Sequence, residues 1–402
     1  MLTALSISII FGFTAKQANF CTMGAVSDWV NFNDMGRMKA WMLAMAVGIL
    51  SMGILEFYEI VNLSNSYPNY RNESLVYVEN ILGGLIFGIA MTYASGCGNK
   101  TLVRIGEGDG NSLITAISLG IAAYYMVNSL PNSEETIFTL VFFDWIRPLA
   151  IDLGHQQDIA SFIKSYFEHD SDISVIRLTI SITVATAILI WVFRKLPEAR
   201  NIISGVTIGS CVTLFWVLSS NTSISIDEES YSPSQFLSEW DMVYEPTEEN
   251  EDKDIELLKP KNEISYRPQS FTFINPVGST YALSKQSISN LTNNDKEENV
   301  SPLLMLNMGI MAIIGVALGS LIASVFTKSF KPKINLSPTA LFKSIFSGVL
   351  MGIGGILAIG CTVGQGVTGA STMSIGSLIA LVSIITGSYL TQKFIYWNLM
   401  RD

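Results

Sequence analysis

Cysteine and histidine are scarce in this chain of 402 residues, with four of the first and two of the second. Four cysteines are too few for a disulfide scaffold, and no two of them form a C-x-x-C pair. His155 and His169 lie in a polar stretch far in sequence from any cysteine. Zinc and haem sites need clustered nitrogen and sulfur ligands, so no metal or other cofactor is expected. Charged residues make up only 14% of the chain, and no basic run suggests nucleic acid as a partner. The amino-terminal stretch MLTALSISIIFGFTAKQ has neither a basic leader nor a small-residue cleavage site, so no cleavable signal is expected.

Apolar residues fill the space left by these absences. They form 49% of the sequence, and mean hydropathy is +0.39. Apolar runs of about 20 residues, the length that crosses a hydrocarbon core of roughly 30 Å, recur along the chain. They predict nine spans, near 2–13 (short), 38–60, 80–96, 111–130, 173–193, 201–219, 303–327, 341–360 and 374–395. The expected class is an all-α polytopic membrane protein embedded in the lipid bilayer.

The net charge of −10 is unevenly spread. Three connections, 56–79, 131–172 and 220–300, hold 28 of the 34 acids, whereas the remaining connections hold 14 of the 24 basic residues. Placing the basic connections in the cytoplasm satisfies the positive-inside rule at each alternation. The amino terminus is then outside, the carboxy terminus inside, and the acidic loops face outward.

The apolar runs are interrupted in a repeated way. Gly84, Gly88, Ile89, Ala94, Gly96 and Cys97 match Gly348, Gly352, Ile353, Ala358, Gly360 and Cys361 at a constant offset. A weaker third copy, Gly12, Ala18 and Cys21, keeps the spacing Gly-x5-Ala-x2-Cys. In the expected topology the segment ending at Cys97 runs inward and the one ending at Cys361 runs outward, which makes an inverted-topology repeat. The division this implies is 1–172 as first repeat, 173–200 as connecting span and basic loop, and 201–402 as second repeat. Paired Gly-interrupted segments in the two halves of a transport protein point to the substrate site. Irregular backbone survives at membrane depth only where it is buried in protein or lines a polar cavity.

Cys21, Cys97 and Cys361 therefore sit at the expected tips of half-helices. A neutral thiol is a weak, polarizable donor, suited to brief contact with a soft anion, and passage needs sites that release as well as bind. Lys16, Lys100 and Arg104 are candidates for an electropositive inner vestibule, and Asn19, Thr362 and Gln365 for neutral hydrogen-bond partners. Gly96 and Gly360 permit the breaks. Glu107 and Asp109 would repel an anion, and are expected to pair or cap within their loop. Cys211, in GVTIGSCVTLFWV, reads as a small buried hydrophobe. From residues alone the function is a pore or carrier for a small solute with thiols on its path. A membrane thiol oxidoreductase, which wants an exchangeable cysteine pair, and a neutral-solute channel are the rival classes.

The stretches GFTAKQANFCTMGAVSD, YASGCGNKTLVRIGEGDGNS, AIGCTVGQGVTGAS and YRPQSFTFINPVGST resemble the YeeE/YedE-type transporters of sulfur compounds, over most of the chain. The resemblance implies a transporter rather than an enzyme, importing thiosulfate across the bacterial cytoplasmic (inner) membrane through S–H contacts. It implies that the functional cysteines are Cys21, Cys97 and Cys361, with no counterpart for Cys211 in that motif set. It also implies a cytoplasmic sulfur-carrier partner of the TusA type and a re-entrant element at 266–280. Relatives handling selenium or other sulfur compounds share these motifs. The acidic segment at 220–265 departs from the family pattern.

Overall fold

Helices pack in pairs drawn from distant parts of the sequence, and the pairs repeat. The computed structural model describes every residue except 132, 134, 168–171, 223, 227–228, 232–266, 293–307 and 402. Most of the acidic segment at 220–265 thus falls outside the described residues, as do residue 266 and the start of the span expected at 303–327. In chain order the helices are α1 (Leu2–Gln17), α2 (Thr22–Phe32), α3 (Gly36–Phe57), α4 (Tyr77–Tyr93), α5 (Gly98–Gly106), α6 (Gly110–Val127) and α7 (Ile159–Phe167). They continue as α8 (Ile173–Phe193), α9 (Ala199–Ser220), α10 (Ile274–Thr292), α11 (Met308–Phe326), α12 (Pro338–Leu357) and α13 (Ile375–Leu399). Short helical turns cover 139–149, and a two-residue strand, Ser74–Leu75, pairs antiparallel with Ile151–Asp152.

Eight helical stretches among the described residues are long and apolar enough to cross a membrane, against the nine spans expected. The short first span accounts for the difference. Helix α1 has 16 residues, about 24 Å at 1.5 Å per residue, which falls short of the hydrocarbon core. The chain breaks after it and resumes as α2. The stretch 77–106 is likewise interrupted, between α4 and α5.

Helix α1 packs on α11 and α9 packs on α3, while α4 packs on α13 and α12 packs on α6. Exchanging α1 with α9, α3 with α11, α4 with α12 and α6 with α13 maps each pair onto another. Glycines make these approaches possible. A Cβ on Gly84 would meet Ser383 and the Ala380 carbonyl, and one on Gly348 would meet Ser118 and the Thr115 carbonyl. The two matched positions of the sequence repeat therefore do the same work, allowing backbone-to-backbone contact of the kind small residues permit in membranes. Helices α4 and α12 also touch directly. Gly83 lies against Leu357 and Ala358, and Phe87 against Gly354, so the two run antiparallel.

Residues 268–273 form no helix and lie mostly buried inside the molecule. Phe271 and Phe273 are fully enclosed, Phe271 stacking on Phe11 at 4.6 Å between ring centres and contacting Phe215 at the same separation. Helix-free backbone at this depth needs donors for its carbonyls. Ser219 donates to the Gln269 carbonyl (2.7 Å) and Thr368 to that of Phe271 (2.8 Å). The Tyr67 N–H reaches the Pro268 carbonyl at 2.7 Å. Helix α10 then lies against α6, with Val277 beside Gly120.

Candidate functional site

Each of the three motif cysteines follows the same backbone device. Two residues earlier the chain turns through a left-handed conformation, at Asn19 (φ 50°), Ser95 (φ 58°) and Ile359 (φ 59°). The cysteine then begins the next helical segment: Cys21 is the N-cap of α2 and Cys97 that of α5. Cys361 opens a segment containing the π-helical turn Gly364–Gly369. Cys21 Sγ accepts from the Gly24 N–H (3.5 Å) and Cys361 Sγ from that of Gly364 (3.3 Å). A left-handed β-branched residue such as Ile359 is strained, so the bend is held by its surroundings.

The breaks bring the thiols together. The Cys21 and Cys97 thiols are close enough to influence one another, and Thr362 lies beside the Cys97 thiol. Neither Thr362 nor its structural neighbour in sequence role, Thr22 after Cys21, has a partner of regular hydrogen-bond geometry. All three thiols are free, with exposures of 6% for Cys21, 1% for Cys97 and 0% for Cys361. Helix amino termini carry partial positive charge, and three of them meet these cysteines. Cys211 is also buried and free, in the middle of α9.

A cavity of about 650 Å³ reaches Cys21 from one face of the molecule. Five cations line it, Arg37, Lys100, Arg104, Lys331 and Lys333, against the two carboxylates Glu107 and Asp109, with Asn19 beside the thiol. Glu107 is held by Lys16 at 3.0 Å and Lys100 at 3.4 Å, so it joins the end of α1 to α5. Asp109 accepts from the Ser112 hydroxyl at 2.8 Å at the start of α6. Arg104 donates to the Ala94 carbonyl at 3.1 Å, tying α5 to the end of α4, and the Lys100 stem packs on Gly96. Gln365 donates to the Ala358 carbonyl, closing its own loop beside Gly360, and leaves its Oε1 without a partner.

Burial pushes the Glu107 carboxyl up, but Lys100 and Lys16 together outweigh it and hold the group below its ordinary value. A carboxylate depressed in the folded state stabilises it fully above the unfolded value, about 4.3, and loses that contribution as pH falls through the lower folded value. Glu107→Gln is therefore expected to cost about 1 kcal/mol of stability at neutral pH. Thermal melting of the detergent-solubilised protein checks it. The gap between wild type and variant should close in acid, below the ordinary glutamate range.

The opposite face is capped by loops. Tyr70 donates to the Gly364 carbonyl at 2.9 Å, and Arg71 Nε to that of Thr372 at 3.0 Å. Arg71, only 2% exposed, forms a two-pronged ion pair with Glu56. Arg177 pairs with Asp158 at 3.1 Å and lies 3.8 Å from Glu56, completing a four-residue charge cluster. Sequence reading singled out none of these four. It also missed Asn99, fully buried with neither side-chain polar atom partnered, and Thr272, whose hydroxyl is equally unpartnered. Asn99 stands inside the motif GCGNK, the one signal that pointed to it.

A family model described as sulphur transport matches residues 17–245 and 261–390. The chain is similar to a thiosulfate transporter of Spirochaeta thermophila, with 22% identity over 389 residues, covering 96% of each chain. A thiosulfate transporter of Escherichia coli is 21% identical over 427 aligned positions, covering 98% of this chain and 95% of the relative.

Proposed function

The chain belongs to the sulphur transport family, and on that premise we propose that it carries thiosulfate across the membrane, past Cys21, Cys97 and Cys361 in turn. The observation that carries the reading is the convergence of three free, buried thiols at three helix breaks, with a basic cavity leading to the first of them. Thiosulfate has a soft terminal sulfur and three hard oxygens. Thiols suit the former, while the cations of the cavity attract the dianion from a distance. Lys16 and Lys100 act mainly through their shared hold on Glu107, which leaves Arg104, Lys331 and Lys333 as the stronger field.

The reading extends to orientation and partners. The basic cavity faces the cytoplasm of a bacterium, the membrane is the inner one, the amino terminus is outside, and the carboxy terminus is inside. Residues 1–172 and 201–402 are the inverted repeats; the antiparallel packing of α4 on α12 supports that division. A cytoplasmic sulfur-carrier protein of the TusA type receives the cargo at the basic mouth. The protein is a transporter and not an enzyme. Uptake of labelled thiosulfate into liposomes, with sulfate and selenium analogues as competitors, tests the proposal. Saturable uptake that sulfate fails to compete is the expected result, and absence of uptake by correctly folded protein overturns it.

A further inference from the structure

Cys97 has a second thiol beside it, supplied by Cys21 at the start of α2. The exchange that maps α1 onto α9 and α3 onto α11 maps the Cys21 break onto residues 268–273, just ahead of α10. No cysteine stands there. Phe273 precedes α10 as Cys21 precedes α2, and its backbone lies beside the Cys361 thiol. The neighbouring Thr272 is 3% exposed, and its hydroxyl has no hydrogen-bond partner, a state few buried hydroxyls occupy without a reason.

Gly364 explains where that hydroxyl is directed. A Cβ on Gly364 would stand 3.0 Å from Thr272 Oγ1 and 3.7 Å from Cys361 Sγ. With no side chain on Gly364, one hydroxyl and one thiol both close on the same α-carbon, on either side of where a Cβ would stand. The Gly364 N–H and carbonyl are already engaged, by Cys361 Sγ and Tyr70, so the glycine itself is fixed.

We propose that Thr272 and Cys361 form a mixed hydroxyl–thiol subsite across Gly364, in which the hydroxyl donates to a sulfonate oxygen of thiosulfate and the thiol contacts its terminal sulfur. The subsite deepens the thiosulfate reading above and rests on it. It also gives the site a means of selection. Sulfate satisfies the hydroxyl but presents no soft sulfur to the thiol, and an anion with only soft atoms leaves the hydroxyl unpaired. A site built to hydrogen-bond its substrate discriminates strongly against analogues that leave a buried polar group unpaired.

The test is liposome uptake of labelled thiosulfate by wild type, Thr272→Val, Thr272→Ser and Gly364→Ala. Valine keeps the shape of threonine and removes the donor. Thr272→Val should raise the half-saturating concentration about tenfold, the low end for a hydrogen bond to a charged group, and Thr272→Ser should restore it to within about threefold. Gly364→Ala sets a methyl group 3.0 Å from Thr272 Oγ1, displacing the hydroxyl, and should raise it by at least about tenfold as well. It decides the matter if Thr272→Val fails to reach the membrane. Wild-type kinetics in the valine variant, or in Gly364→Ala where that variant decides, would overturn the subsite alone. A folded wild type that takes up no thiosulfate would overturn the transport function and the subsite with it.

Discussion

Cys97→Ala is expected to cut thiosulfate uptake by at least about tenfold, and up to a hundredfold, while leaving folded protein in the membrane. That range follows from losing one hydrogen bond to a charged species, worth about 1.5–3 kcal/mol. Cys97 stands between Cys21 and Thr362 and is closed to solvent, so no water can take over the lost donor. The change in volume is small, and folding is little affected. Cys97→Ser separates two explanations. Serine keeps a donor of similar size but replaces a soft group with a hard one, and its uptake should fall as well. Cys211→Ala is the control and should transport normally, because Cys211 sits mid-helix in α9. Wild-type rates in Cys97→Ala, measured in liposomes at matched protein density, would end the thiol-path account.

Arg71→Leu is expected to destabilise the fold strongly. Breaking a buried ion pair by removing one partner typically costs 3–5 kcal/mol, because the other charge stays buried without compensation. Here Arg177, 3.8 Å from Glu56, supplies part of that compensation, so a loss of about 3 kcal/mol is expected. The change also leaves the Thr372 carbonyl without its Arg71 donor. Thermal melting of the solubilised protein measures the effect, and Arg71→Leu combined with Glu56→Leu should recover much of it. A melting temperature equal to wild type would show that the cluster contributes nothing.

Much of this architecture was legible in the sequence because membranes impose simple rules. Apolar run length located the long helices, and the Gly-x5-Ala-x2-Cys spacing located the three breaks. The spacing worked because the helix before each cysteine and the turn into the next need a fixed number of residues. The turn itself was only partly foreseen. Glycine was credited with the unusual backbone, and Gly108 (φ 92°) and Gly360 (φ 159°) do carry it, yet the left-handed positions two residues before the cysteines are Asn19, Ser95 and Ile359. An isoleucine in that conformation has no local signature, since only tertiary packing holds it there. Glu107 was expected to pair within its own loop, and Lys100 does so; Lys16 comes from a separate helix, 91 positions earlier in the chain. Arg71 and Thr272 stayed hidden for the same reason. Their meaning lies in Thr372 and Gly364, residues that no periodicity connects to them.

The pairing of the helices has a mechanical consequence. In each of the four pairs, α1–α11, α9–α3, α4–α13 and α12–α6, one member comes from before the connecting helix α8 and one from after it. The two halves are clasped like the fingers of folded hands. Two bundles that rock about a fixed substrate, or a block that slides like an elevator, need a seam along which few contacts are broken. A seam between the two sequence halves would have to part these tight glycine contacts. The contacts instead gather α1, α3, α9 and α11 into one bundle and α4, α6, α12 and α13 into another. Any line of division therefore runs between two bundles that each borrow helices from both halves, so neither half of the chain can move as a block by itself.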